Sequence, residues 1–542
     1  MADPRVSPGR PGQSKIILVN GSIHTMDPSL SLVSALAIRG RRILAVGEAA
    51  LEASVRSQAQ VIDLEGRTVL PGLTDSHIHF GWFARALRQV DLTGARSLNE
   101  MLDRVTRRAE RTPTGSWIRG RGWDQELWST PRFPTAADLD RVTVHQPVFL
   151  TAKSGHAAVA NSLALRQAGI GGSTPDPAGG RIERDAAGVA TGLLLEEPAM
   201  VLVSDTIPEP DPETLASWVL DAFERAWRVG LTGIHDVDTL LAFDVYQRLR
   251  AQGELGLRIV KYLPKKALEP AQALHLRAGL GDDWLRIGGL KLFADGALGP
   301  RTAAMLAPYA GEPANTGILV TERAELEELA RRSVAGGLAL AIHAIGDRAN
   351  RMVLDIISQV AGNEASLRHR IEHAQLVHPD DVGRFAKLGV VASMQPIHAP
   401  QDARMVDRYW GERAAGAYAW RSLLNAGTVL AFGSDCPVED LNPFLGIHAA
   451  VTRSRPDGYG GADGWRPEQR LTVEEAVWAY TQGAAYAAGA EDRLGSLTPG
   501  KLADLVVIDR QIFTGDPDRI AETEVVGTMI DGRWVYGRWT QV

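Results

Sequence analysis

Apolar runs of about five to nine residues recur along the middle of the chain, each the right length for a buried strand. They cover Leu73 to His79, Leu231 to Val237, Leu257 to Leu263, Leu285 to Phe293, Leu338 to Ala344, His369 to Ala374, Val390 to Gln395 and Val429 to Asp435. Stretches of helical character, such as Arg323 to Ala335 and Pro379 to Leu388, separate most of them. Near-continuous apolar runs fit parallel strands covered on both faces. Eight strand-then-helix units in one chain predict an α/β fold, a (β/α)8 barrel of the TIM type over residues 71–494.

The ends of the chain have a different texture. Lys15 to Val19, Ala35 to Arg39 and Arg42 to Val46 are short strand-like runs broken by the turn signals Asn20-Gly21 and Arg39-Gly40. Ala503 to Ile508, Val525 to Ile530 and Arg533 to Tyr536 repeat the pattern at the other end. These half-sets, residues 15–70 and 495–542, predict one small β-sandwich built from both termini. One gap breaks the rhythm of the barrel. About 150 residues separate its first two strands, far more than a βα connection needs. Residues 82–208, with Trp117, Trp123, Trp128, Phe133 and Phe149, read as an inserted lid or subdomain over the barrel mouth.

Composition narrows the class. The 542 residues are 45% apolar and 23% charged, so a core can be buried without covalent staples. The net charge of −7 is spread along the chain, without the concentrated basic patch of a nucleic-acid binder. The single cysteine, Cys436, allows no intrachain disulfide and fits a reducing compartment. Met1 to Ser14 lacks the apolar core of a secretion signal, and no run is long enough to span a membrane. A cytoplasmic protein acting on a small molecule is expected, with homo-oligomerisation left open.

The chemistry collects at strand ends. His77 and His79 close the first run two residues apart, a spacing that puts both imidazoles on one side of a strand. His343 ends the fifth run, His373 the sixth and Asp435 the eighth, and Lys291 lies near the end of the fourth. In a barrel these ends share one rim, where barrel enzymes carry their active sites. Imidazole and carboxylate suit a divalent metal, zinc first, with iron, nickel or manganese as alternatives. A lone strand-end histidine is more often a core residue, but that reading does not explain four of them on one rim with an aspartate. Lysine is rarely buried without a partner. From residue types alone, Lys291 is expected to pair with an acid such as Asp295; a carboxylated lysine bridging two metals is the alternative.

Leu70-Pro71-Gly72-Leu73-Thr74-Asp75-Ser76-His77-Ile78-His79 resembles the first-strand signature of the amidohydrolase superfamily. Gly433-Ser434-Asp435 resembles its eighth-strand aspartate, and the run Pro499 to Val507 resembles the strand pair that closes its β-sandwich. Arg121-Gly122-Trp123-Asp124, Pro147 to Leu150, Gly155-His156, Asn161 to Leu165, Thr191 to Leu194 and Lys291 to Gly296 are similar to the N-substituted formamide deformylase-like, or amidohydrolase-3, branch. The resemblance runs from about Lys15 to Tyr536. It implies metal ligation by His77, His79, His343 and His373, a carboxylated Lys291 as bridge, and Asp435 as the base, with one ion or two. It shifts the expectation for Lys291 towards carboxylation.

Trp123, Asp124, His156, His235, Arg301 and His398 are further candidates to face the substrate. Plainer roles compete: Trp123 packing the insert, Asp124 capping a helix, Arg301 paired with an acid. Cys436 follows the expected base and reads as a packing residue, since activated water already fills the role of nucleophile. The expected reaction is hydrolysis of an amide C–N bond, of the N-substituted formamide type, by metal-activated water. The aromatic insert suggests a partly apolar, aryl-bearing substrate. One rival is hydrolytic deamination of a heterocycle; the superfamily's deaminases usually lack a bridging lysine, so Lys291 argues against it. The other is a catalytically silent metal-binding barrel, which the intact ligand set argues against.

Overall fold

The computed structural model describes residues 15–55, 59–153, 157–177, 180–360 and 367–540. Its centre is an eight-stranded parallel sheet with neighbours in sequence order. The strands are β1 (Leu73–Ile78), β2 (Leu231–Asp236), β3 (Arg258–Pro264), β4 (Leu285–Phe293), β5 (Ala339–Ala344), β6 (Arg370–His373), β7 (Val391–Met394) and β8 (Leu430–Phe432). Burial explains the apolar runs: every residue of β2, β6, β7 and β8 is buried, as parallel strands between other layers must be. Past the strand ends, Asp435 N–H donates to the His77 carbonyl (2.8 Å) and His79 N–H to the Cys436 carbonyl (3.0 Å), drawing the last strand back to the first.

The eighth run is shorter than its apolar pattern suggests. The strand stops at Phe432 because the chain then turns against β1. A Cβ on Gly433 would lie 2.5 Å from His77 N and 2.6 Å from Asp75 Oδ1, so only glycine permits this approach. Two residues on, Asp435 takes a left-handed φ of +60°, and His373 after β6 takes +71°. Such conformations cost energy in residues other than glycine and concentrate at functional sites.

Residues from both ends build the β-sandwich. One sheet orders Arg42–Val46, Leu36–Arg39, Lys15–Val19 and Gln60–Asp63. The other orders Arg533–Gly537, Val525–Ile530, Leu505–Ile508, Thr68–Pro71, Ser22–His24 and Leu32–Val33. The termini meet where Leu505–Ile508 pairs antiparallel with Thr68–Pro71, Val507 opposite Val69. Ile16, Leu18, Ile23 and Leu36 from the first half pack with Leu505, Val507 and Met529 from the second in one core.

The insertion after β1 is a compact unit of its own, Ala84–Trp218. It carries a mixed six-stranded sheet ordered Arg181–Arg184, Ala190–Leu195, Ala157–Ala160, Val148–Ala152, Ile118–Trp123 and Val90–Asp91. Trp123 lies inside this unit. It is fully buried among Leu92, Met101 and Leu150, and its indole N–H donates to the Leu150 carbonyl at 3.1 Å. That corrects its reading as a substrate-facing residue: the ring is spent on packing. Asp124 opens the 3-10 turn Gln125–Leu127, its carbonyl accepting from Leu127 N–H at 3.2 Å. His156 falls outside the described residues. No helix among the described residues is long and apolar enough to cross a membrane.

Candidate metal centre

At the C-terminal end of the barrel a cavity of about 440 Å³ is lined by His77, His79, Lys291, His343, His373 and Asp435. The structure thus brings these six residues, from five strand ends, to one place. His398, from the helix His398–Trp410 after β7, lines it too. Asp435 is the hub. Its Oδ1 lies 3.5 Å from both His77 Nε2 and His79 Nε2, and its Oδ2 lies 3.4 Å from His398 Nε2. Two donor groups share this carboxylate, His77–His79–Asp435 and His373–His398–Asp435. The His343 and His373 rings are 4.7 Å apart, and those of His77 and His373 4.8 Å.

Three imidazoles are tied at one nitrogen only. His77 Nδ1 meets Glu372 Oε2 at 2.5 Å, His373 Nδ1 meets Gln395 Oε1 at 2.7 Å, and His343 Nε2 meets the Gly296 carbonyl at 2.9 Å. Each partner atom is an acceptor, so each ring donates there and keeps a lone pair on its other nitrogen. Burial, the main cause, pushes all three imidazoles below the usual histidine range, His343 to about 3. Neutral imidazole is the form that binds a metal. Burial works to raise Asp435, but its bonds to His398 and His79 and the neighbouring His77 hold it well below the usual carboxylate range.

Lys291 is 3% exposed. Its Nζ lies 4.0 Å from the Phe293 ring centroid, and the Leu292 carbonyl is 3.5 Å away. Among the described residues no carboxylate pairs with it. Burial pushes its ammonium down to about 8, against the opposing pull of Glu372 and Asp435. The expected pair with Asp295 does not form. The Asp295 carboxylate accepts instead from the backbone N–H groups of Ala304 (2.8 Å), Ile345 (3.0 Å) and Gly346 (2.9 Å), tying together the loops after β4 and β5. Three peptide donors satisfy this carboxylate, and its Oδ1 also lies 3.6 Å from His343 Nε2.

Two other candidates lie elsewhere. Arg301 pairs with Glu312 and lies over Tyr409 (5.4 Å to the ring), which is the plainer of its two expected roles. His235 is not among the residues lining this cavity. Its Nδ1 accepts from Arg370 Nη1 at 2.8 Å inside the barrel.

The supporting layer was missed in the sequence. Arg370 bonds the Ser76 carbonyl, the Ser393 hydroxyl and Glu372, joining β1, β6 and β7 beneath the histidines. Burial works to raise Glu372, but Arg370 and His77 hold it well below the usual range, so it stays an acceptor for His77. Asp75 accepts from His77 N–H and Ser434 N–H, both at 3.0 Å, and from the Ser434 hydroxyl, fastening β1 to the turn that carries Asp435. One signal was available. Arg370 and Glu372 stand two residues apart in the strand that ends at His373, which places both on one side of it.

Known proteins match this chain along most of its length. The sequence pattern of the Amidohydrolase family matches residues 60–536. Protein LONG AFTER FAR-RED 3 of Arabidopsis thaliana is 36% identical over 96% of this chain and 91% of its own. The N-substituted formamide deformylase of Arthrobacter pascens is 30% identical over 96% of this chain and 98% of its own. Among solved structures, a metal-dependent hydrolase of Pyrococcus horikoshii OT3 superposes with a TM-score of 0.79 at 31% identity, covering 93% of this chain and 99% of that one. With a match of that extent over the same barrel, this chain is a member of the amidohydrolase family.

Proposed function

We propose that the protein is a divalent-metal-dependent hydrolase that cleaves the C–N bond of a small amide, with N-substituted formamides as the substrate class. The observation that carries this reading is the aim of the donors. His77, His343 and His373 are each anchored through one nitrogen, which leaves the other for an ion. Imidazoles and a carboxylate are the ligands zinc takes, and an acceptor behind each imidazole is the usual outer support of such sites. His77, His79 and Asp435 would hold one ion. His343 and His373 would hold a second, with Lys291 as a carboxylated bridge.

The reading of Lys291 rests on its isolation. A buried cation with no carboxylate bonded to it is costly. Loss of one proton gives the neutral amine; its addition to carbon dioxide forms an N–C bond as one C–O π bond breaks and releases a second proton, leaving an anion that would suit a divalent ion where the cation stood.

When bound, the ion lowers the pKa of water from about 16 to about 7 and polarises a carbonyl. Asp435 takes the proton of the attacking water and passes it to the leaving nitrogen. His398, against its Oδ2, fixes the plane of that carboxylate. Phe293, Leu298, Met405 and Val438 line the cavity with apolar surface for the substituent on nitrogen. The products are a carboxylate and an amine. The likeness to a formamide deformylase over nearly the full length supports the substrate class.

Turnover of a formamide panel by the metal-loaded protein tests this. Formate and free amine are expected, and Asp435→Asn should lower kcat at least about a hundredfold. Release of ammonia from heterocycles, with formamides untouched, overturns the amide reading. An undiminished rate in D435N removes Asp435 as the base.

A further inference from the structure

A second cavity lies at the opposite, N-terminal end of the barrel, with a volume of about 40 Å³. Its walls include the first residues of β1 to β4 and the segment Leu494–Ser496. Three arginines and two aspartates reach it: Arg258, Arg286, Arg493, Asp283 and Asp504. Both acids are already engaged. Asp504 grips Arg258 in a two-pronged bond of 2.5 and 2.8 Å, and Asp283 is shared by Arg493 at 2.7 Å and Arg41 at 2.6 Å. Among the described residues no carboxylate pairs with Arg286, and its Nη1 is buried without a hydrogen-bond partner. Buried donors are almost always satisfied, so an orphaned guanidinium N–H calls for an occupant.

His235, in the same wall, supplies a second donor. A guanidinium can only donate, so the bond from Arg370 Nη1 makes His235 Nδ1 the acceptor and places the ring proton on Nε2. Among the described residues that Nε2–H has no hydrogen-bond partner. The cavity therefore offers a cation and a neutral donor, with every nearby acid already spoken for. A water would bring no charge to this unpaired guanidinium, and an apolar ligand would leave both donors unmet. The volume is enough for about three waters, which matches one compact anion and excludes a metabolite of substrate size.

We propose that this cavity is a binding site for a small oxyanion of the phosphate or bicarbonate type, held by Arg286 and His235 and separate from the metal centre. Its position is distinctive: His235 is the lower end of a bonded series, Arg370 to Glu372 to His77, that reaches the site above.

Calorimetric titration of the full-length, metal-loaded protein with inorganic phosphate, at ionic strength fixed with sodium chloride, tests the proposal, and a parallel titration uses bicarbonate. At least one of the two should bind at a single site that Arg286→Leu weakens about tenfold or more, equivalent to about 1.4 kcal/mol. His343→Ala, at the other end of the barrel, should leave it intact. Should R286L fail to fold, Arg286→Lys keeps the charge but loses the forked pair of donors, and a several-fold loss of affinity is expected. Failure of both anions to bind overturns the proposal. So does binding that both Arg286 variants leave unchanged, or that H343A abolishes.

Discussion

Two lysines are buried in adjacent strands of one barrel, Lys261 on β3 and Lys291 on β4, and their surroundings are opposites. Lys261 is 0% exposed and sits 2.5 Å from the Asp236 carboxylate, itself 0% exposed, with the Asp238 carbonyl as a further acceptor. Asp236 in turn accepts from Phe80 N–H (3.1 Å) and the Tyr246 hydroxyl (3.2 Å), so the pair is locked into a satisfied network. Lys291 has an aromatic ring and a distant carbonyl. A lysine buried for structure brings its counterion. One buried without it, beside an array of half-anchored imidazoles, stands in a place prepared for something else to neutralise it.

The comparison breaks or sharpens by mutation. The largest effect is expected at Lys291. Lys291→Ala should lose nearly all turnover, and the unfolding free energy should change little because no acid is stranded. A short-chain carboxylate in the buffer should restore part of the rate by standing in for the bridging anion, whereas an amine should not. Rescue by the amine would mean that the missing charge is positive and that the two lysines are alike.

Lys261→Met should behave the other way. It strands Asp236 in the interior at a cost of about 3–5 kcal/mol, read by denaturant unfolding, while metal content per folded molecule is kept. Burial raises the Asp236 pKa even with Lys261 beside it. Without the lysine it rises further, so its folded value exceeds its unfolded one and protonation favours the folded state. The loss of stability in K261M should therefore be greatest at neutral pH and shrink as the pH falls. A pH-independent loss would mean that Asp236 is not the stranded group.

Glu372→Gln is expected to weaken metal binding about 10- to 100-fold, the usual effect of removing an outer-shell carboxylate. It keeps the shape of the side chain but removes the charge that meets both His77 and Arg370, and competition with a chelator would measure the change. The smallest effect belongs to Arg301→Ala. Its pair with Glu312 is partly exposed, so stability should move by no more than about 1 kcal/mol and turnover should hold. A large fall in kcat/KM would return Arg301 to the substrate.

The contrast between the lysines also marks where reading by sequence succeeded. Strand ends carrying histidine or aspartate were legible because the eight runs are local and their polar ends fall in register with a barrel rim. Lys291 stands out as a charge in an apolar strand, but residue types alone offer only a neighbour in sequence, Asp295, as its partner, and three peptide N–H groups claim that carboxylate. Trp123 leaves two readings open in the sequence for a related reason. Aromatic character says that a side chain is large and apolar, and in this unit the ring faces the core.

By itself the sequence determined what depends on periodicity and local chemistry: eight buried parallel strands, a sandwich shared between the termini, an insertion, and His77, His79, His343, His373 and Asp435 at strand ends. The tertiary structure alone decided the pairings. Glu372 lies 295 residues from the His77 it orients, and Ser434 lies 359 residues from the Asp75 that holds its turn. The physical reason is that a hydrogen bond needs its two atoms within about 3 Å, and only closure of the barrel brings residues so far apart to that distance. Which histidine nitrogen is tied, which lysine has a counterion and which arginine lacks one are properties of that closure.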